Sequence, residues 1–173
     1  MQRVVVTGIG LISPLGLTAP DTWQALVAGQ SGVEPVTLFD TASFPIHHAA
    51  EVKNFDPYAA LGHRAARRMD RFEQFANVAT QEAIAQSGLE ITEANAHRVG
   101  LSVSCAFGGI TSMVEQITLL NEQGPGRVDP LGLTRFMTTA PSVSIAHQLR
   151  GPSFSVASAC ATGSDGVGFA FQM

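Results

Sequence analysis

This sequence is short of charge. Only 14% of its 173 residues are Asp, Glu, Lys or Arg, against roughly a quarter in an average soluble domain. So little charge cannot solvate a whole free surface, and we expect much of it to be covered by another chain or by further sequence of the same one. The charge present is slightly acidic, net −4 with a pI near 5.6, which gives no electrostatic basis for nucleic-acid binding. Only two cysteines occur, Cys105 and Cys160, without Cys-x-x-Cys spacing. That excludes a disulfide scaffold or zinc ribbon and suits a reducing cytoplasm. The five histidines (His47, His48, His63, His97, His147) show no metal-ligand spacing on a helix, so no metal site is expected. His47-His48 lies in loop-like sequence and reads as a surface pair. No apolar run approaches the ~20 residues of a bilayer span. Met1-Gln2-Arg3-Val4 opens straight into strand-like sequence, so neither a membrane span nor a secretory leader is expected.

What is there is 45% hydrophobic, with 17 glycines, and is one domain's worth of chain. Arg3-Val4-Val5-Val6-Thr7 predicts a strand buried on both faces. Thr18 and Asp21 resemble a capping pair for a short helix ending at Gly29, with Trp23, Leu26 and Val27 inside. Residues 30 to 62 show no sustained period and contain Gly32, Pro35, Pro45 and Pro57, which predicts irregular structure. A long helix is expected from about Arg64 to Ser87, closed by Gly88, with Phe72, Phe75, Ala76, Ala79, Ala83 and Ile84 on one face. Its alanines would let a neighbouring element come close. Residues 99–105 predict a second strand, followed by a helix with Met113, Val114, Ile117 and Leu120 inside that stops at Gly124-Pro125-Gly126. Pro141 suits the first turn of a further helix carrying Val143, Ile145, Ala146 and Leu149. A strand at 153–157 then leads into a last helix that reaches Met173 without cap or breaker, as in an N-terminal piece. Strands alternating with helices predict an α/β fold with a mostly parallel sheet covered by helices.

The stretch with most chemical content is Val156-Ala157-Ser158-Ala159-Cys160-Ala161-Thr162-Gly163. It reads as a strand running through small residues into a helix start, with a thiol at the bend. Unpaired N–H groups and the positive end of the helix dipole favour a thiolate there. Small flanking residues leave room for a substrate, which is how a nucleophile elbow is built. A cysteine between alanines is equally a common packing residue, and the local pattern leaves both readings open.

Other motifs are weaker. Gly8-Ile9-Gly10 after strand-like sequence invites a dinucleotide-binding reading, but position 13 is Ser13, Pro14 interrupts the helix a pyrophosphate needs, and no acidic strand end follows. Arg64, Arg67, Arg68 and Arg71 would share one helix face. They form either a solvated face partly neutralised by Asp70 and Glu73 or a dock for an acidic or phosphorylated partner. Gly108-Gly109 is either a strand-to-helix turn or a place where a substrate chain passes close to backbone. Cys105, just before it, reads as core.

Taken together, the chain resembles the N-terminal half of a KAS II-type β-ketoacyl-acyl carrier protein synthase, with the thiolase fold. The residues that carry the resemblance run the whole length: Arg3 to Gly10 with Ser13-Pro14-Leu15-Gly16, Trp23 through Gly29-Gln30-Ser31-Gly32, Phe39-Asp40, Arg68-Met69-Asp70-Arg71-Phe72, Ser87-Gly88-Leu89, Gly108-Gly109, Leu149-Arg150-Gly151-Pro152-Ser153 and Ser158-Ala159-Cys160-Ala161-Thr162-Gly163.

The resemblance implies an acyltransferase of fatty-acid or polyketide elongation. Cys160 would accept an acyl group from an acyl carrier protein, and a malonyl unit on a second carrier would lose CO₂ and attack the thioester. The Cys160 N–H would serve as one oxyanion donor. The two histidines and the lysine that run decarboxylation in the family belong to its C-terminal half. None of the five histidines here matches them, so full condensation by these 173 residues alone is not expected. The resemblance further assigns Arg64, Arg67, Arg68 and Arg127 to carrier docking, and Met113 with Gly108 and Gly109 to the acyl pocket near a homodimer contact. It implies no cofactor of the chain's own, phosphopantetheine being carried by the carrier protein. Residues 136–142 and 104–107 depart from the family's usual sequence, which bears on acyl-chain preference. The alternative is a non-catalytic, dimerising partner that shapes an acyl tunnel; such partners generally lack the cysteine.

Overall fold

The computed structural model describes residues 3–136 and 140–173. Its organising element is the helix α4 (Arg71–Ser87). The chain does not run helical from Arg64 as the periodicity predicts. A four-residue helix α3 (His63–Ala66) is followed by a break, because Asp70 takes an extended backbone and caps α4. The Asp70 carboxylate accepts the Phe72 N–H at 3.5 Å, and the Glu73 carboxylate accepts the Asp70 N–H at 2.9 Å. This is a capping box, and a pattern of apolar spacing alone passes over it. At the other end Gly88 supplies the left-handed cap (φ 66°) that its position predicts.

Residues 8–11 lie against α4, and the strand predicted at Arg3–Thr7 does not form among the described residues. A Cβ on Gly8 or Gly10 would overlap the carbonyl oxygen of Ala83 or Ala79, so both glycines permit backbone-to-helix contact through the alanine face. The contact is closed by Gln86, whose side-chain carbonyl accepts the Ile9 N–H at 2.6 Å, and by Glu82, which accepts the Leu11 N–H at 2.9 Å. Close packing on α4 thus gives this Gly-x-Gly a structural reason of its own. Val4, Val5 and Val6 are exposed, with no strand beside them among the described residues. A run can read as a buried strand and still lack the neighbour that would make it one.

Helix α1 (Ala19–Val27) is capped as expected: Thr18 accepts the Asp21 N–H at 3.2 Å and donates to its carboxylate at 2.7 Å. Its buried face is reversed, however. Ala19 and Ala25 are buried while Trp23, Leu26 and Val27 are exposed. The helix is held at its N-terminus, where Glu82 also accepts the Ala19 N–H at 2.8 Å, an anion placed on the positive end of the dipole. The irregular stretch contains one small antiparallel pair, β1 (Val33–Pro35) and β2 (His48–Ala50), and the short helix α2 (Pro57–Leu61).

The second half carries the parallel pair β3 (Leu101–Ser102) and β4 (Ser153–Phe154), with Leu101 opposite Ser153. The predicted strands at 99–105 and 153–157 are thus shorter as ladders. Serines extend the pairing, Ser155 donating to the Val103 carbonyl at 2.6 Å and Ser104 accepting the Val156 N–H at 3.1 Å. Helices α5 (Ile110–Gln123), α6 (Gly132–Phe136), α7 (Ala140–Ala146) and α8 (Thr162–Gln172) complete the order. Helix α6 packs on α5, α7 on α4 and β4, and α8 on β3. The departing segment at 136–142 includes Met137 to Thr139, which lie outside the described residues.

Among described residues the buried apolar set is Ala19, Ala25, Ala66, Ala96, Val143 and Leu149. Among the described residues Val143 is the only fully buried large apolar side chain, worth about 1.5–3 kcal/mol. The faces predicted to point inward on α5 (Met113, Val114, Ile117, Leu120) and at Ile145 of α7 are exposed instead. Helical spacing identified an apolar stripe correctly but cannot say whether this chain covers it. The shortage of charge has its counterpart here, in apolar surface that no described residue covers.

Candidate active site

Cys160 lies where β4 gives way to α8. The chain leaves Phe154, passes Val156 and makes a 3-10 turn over Ala159–Ala161 before α8 starts at Thr162. Ala159 has φ 54°, a left-handed conformation that an L-residue adopts only when its surroundings hold it there. The turn leaves Cys160 exposed with a free thiol. Ser158 donates its N–H to the Thr162 hydroxyl at 2.9 Å and its own hydroxyl to the Asp165 carboxylate. The Ala161 N–H closes on the Ser158 carbonyl at 3.2 Å. A strand, a strained turn with small side chains and a helix start present a thiol outward, an arrangement that suits a nucleophile. Ser158, Thr162 and Asp165 support the turn, and the sequence signal for them is the spacing from Ser158 to Thr162 and Asp165 on the first turns of a helix.

The remaining candidate residues are spread out. Arg64 (on α3), Arg67 and Arg68 (in the turn after it) are exposed, and neither ion pair among the described residues involves them. Arg71 leaves this group: its guanidinium donates to the Val52 carbonyl at 2.7 Å and lies over the Phe75 ring at 4.8 Å. Asp70 and Glu73, beside the cluster in sequence, are buried in the α4 cap. Arg127 ends a separate 3-10 turn after α5 and is exposed.

Met113 is partly exposed on α5, directly after Ser112. Gly108 has φ 66° and opens the turn into α5, and its N–H donates to the half-buried Cys105 sulfur at 3.3 Å. A Cβ on Gly109 would overlap the Arg135 carbonyl, so packing against 135 already requires glycine there. Helix α5 packs on α6 and the Arg127 turn, whereas the Cys160 turn packs on α8; Met113 and Cys160 belong to different packing neighbourhoods.

No group of residues that could hold a metal occurs among the described residues. His47 and His48 are exposed, with His48 in β2 rather than in a loop. His147 is half-buried with no hydrogen-bond partner on Nε2, and burial pushes its pKa down despite a bond to the Asn77 backbone. No helix among the described residues is long and apolar enough to cross a membrane.

The chain is 42% identical to the 3-oxoacyl-[acyl-carrier-protein] synthase 2 of Coxiella burnetii over 99% of its own length and 42% of that protein's. It therefore spans about 42% of the length of such relatives. Among solved structures, the ishigamide ketosynthase/chain length factor matches 97% of this chain and 43% of that one, with a TM-score of 0.86 and 28% identity. A type II polyketide ketosynthase in complex with its acyl-carrier protein matches 99% of this chain and 46% of its own, with a TM-score of 0.81 and 21% identity, and so supports the fold. The family model for the β-ketoacyl synthase N-terminal domain matches residues 1–173, and the chain belongs to that family.

Proposed function

We propose that this chain is the nucleophile-bearing part of a β-ketoacyl-acyl carrier protein synthase. The observation that carries the reading is Cys160, an exposed thiol on a strained turn between β4 and α8, in a chain matched throughout by that family. The Cys160 thiolate attacks the carbonyl carbon of an acyl-carrier thioester. The tetrahedral oxyanion takes a hydrogen bond from the Cys160 N–H, then collapses to an acyl-cysteine and expels the carrier's thiolate, which takes a proton from solvent. In the complete reaction a malonyl-carrier loses CO₂, and the resulting carbanion attacks the acyl-cysteine, forming a carbon–carbon bond and freeing Cys160. Acyl transfer is the step this chain's own residues can carry; decarboxylation needs groups that these 173 residues do not supply.

The exposed Arg64, Arg67, Arg68 and Arg127 dock the acidic carrier protein, whose phosphopantetheine brings the thioester. Met113, with Gly108 and Gly109, lines the acyl path. The exposed face of α5 meets a second copy in a homodimer, and the enzyme works in the cytoplasm. A second reading, a tunnel-shaping chain-length partner, is favoured by likeness to a structure that contains a chain length factor but leaves Cys160 without a task.

The test is the intact mass of the chain after incubation with an acyl-carrier thioester, beside Cys160→Ala. A Cys160-dependent acyl adduct supports the reading, and folded protein without an adduct rejects it for this chain.

A further inference from the structure

We propose that Thr162 and Asp165 are positioning residues for Cys160, acting by clipping Ser158 to the first turns of α8. The inference rests on the reading of Cys160 as the nucleophile. Ala159, between Ser158 and Cys160, is held at φ 54°. A residue with a Cβ returns to negative φ unless its neighbours prevent it. Two bonds from Ser158 prevent it. Its N–H donates to Thr162 Oγ1 at 2.9 Å, and its hydroxyl donates to the Asp165 carboxylate.

The far side of the clip is itself fixed. Thr162 is only 5% exposed. One turn on, the Ser102 hydroxyl donates to the Gly166 carbonyl at 3.0 Å, and a Cβ on Gly166 would stand 2.9 Å from Ser104 Oγ. Helix α8 is thus seated on β3, and Ser158 is tied to α8. The two residues bearing the strain and the thiol are spanned by a short closed loop. Releasing Ser158 lets Ala159 relax, which turns the peptide plane carrying Cys160 and moves the sulfur from its line of attack.

The experiment compares two labels on Cys160 of this chain, read by intact mass with Cys160→Ala as background. One is the hexanoyl thioester of N-acetylcysteamine, which needs an oriented nucleophile. The other is iodoacetamide, which needs only an accessible thiol. Thr162→Val, which removes the acceptor at nearly constant shape, is expected to slow acylation roughly tenfold or more while alkylation is unchanged. Thr162→Ser restores acylation. Ala159→Gly in the Thr162→Val background also recovers it, because glycine takes positive φ without being held. Asp165→Ala behaves as Thr162→Val does, to a smaller degree. Acylation of Thr162→Val at the wild-type rate, loss of both labels in step, or failure of Thr162→Ser to rescue overturns the clip. Absence of a Cys160-dependent acyl adduct on the unmodified chain rejects the nucleophile reading first, and this inference with it.

Discussion

Asp70 accepts both the hydroxyl and the backbone N–H of Ser112, at 2.6 and 3.0 Å, through one oxygen while the other caps α4. Both residues are buried. One side chain therefore joins the turn bearing Arg67 and Arg68 to the helix bearing Met113. Asp70→Ala removes a helix cap and leaves buried donors unpaired, with an expected loss of about 2–4 kcal/mol in urea denaturation. Asp70→Asn keeps a capping oxygen and should cost distinctly less. Equal losses would show that the cap contributes nothing.

Gly10 offers a test of the contact that replaced the predicted first strand. Alanine there must displace the α4 backbone at Ala79, at a cost of roughly 1–3 kcal/mol. Gly168, inside α8 with open space around it, should respond in the opposite sense, gaining up to about 1 kcal/mol as alanine. Thermal melts of the two variants separate close packing from glycine content.

Two groups make stability fall with acid, in different windows. The His147 pKa is lowered by burial, so the unfolded state binds its proton first as pH falls. Stability is lost from about pH 6.5 downward to the folded-state value. Glu51 is lowered chiefly by the Thr37 hydroxyl, which donates to it at 2.8 Å. Its contribution is present above the ordinary carboxylate range and is lost as pH falls through its lower folded value. His147→Gln should flatten the melting-temperature profile just below about pH 6.5, and Glu51→Gln only the more acidic limb.

Arg67 and Arg71, four residues apart, should behave as different kinds of residue. Arg67→Glu is expected to weaken acyl-carrier binding by tenfold or more in calorimetry, with an unchanged melt, since it reverses an exposed charge. Arg71→Ala should leave binding intact and lower stability by about 1–2 kcal/mol through the lost Phe75 contact and Val52 bond. Unaltered carrier affinity in Arg67→Glu removes the docking assignment.

Met113→Phe is expected to shorten the longest acyl chain that the complete enzyme accepts, read from the product distribution. An unchanged distribution takes Met113 out of the acyl path.

The parts of this fold that could be read beforehand are those written in local chemistry. Thr18 with Asp21 marked a cap, Gly88 a helix end, and the small residues around Cys160 a bend. The parts that could not be read depend on what lies opposite. Nothing in Val4-Val5-Val6 tells whether a strand will stand beside them, and nothing in the spacing of Met113, Val114, Ile117 and Leu120 tells whether their stripe is covered. Asp70 shows a third case. It was visible as a charge near four arginines, but its cap on α4 and its bond to a serine 42 positions away turned it inward.

Arg3 to Thr7 make no backbone hydrogen bond to another described residue. Their N–H and C=O groups form an open row, and the β-branched valines between them are already confined to few rotamers. Such an unpaired row is a template for a second strand. The segment is an edge open to a further strand, and pairing between copies is expected to grow as the chain is concentrated.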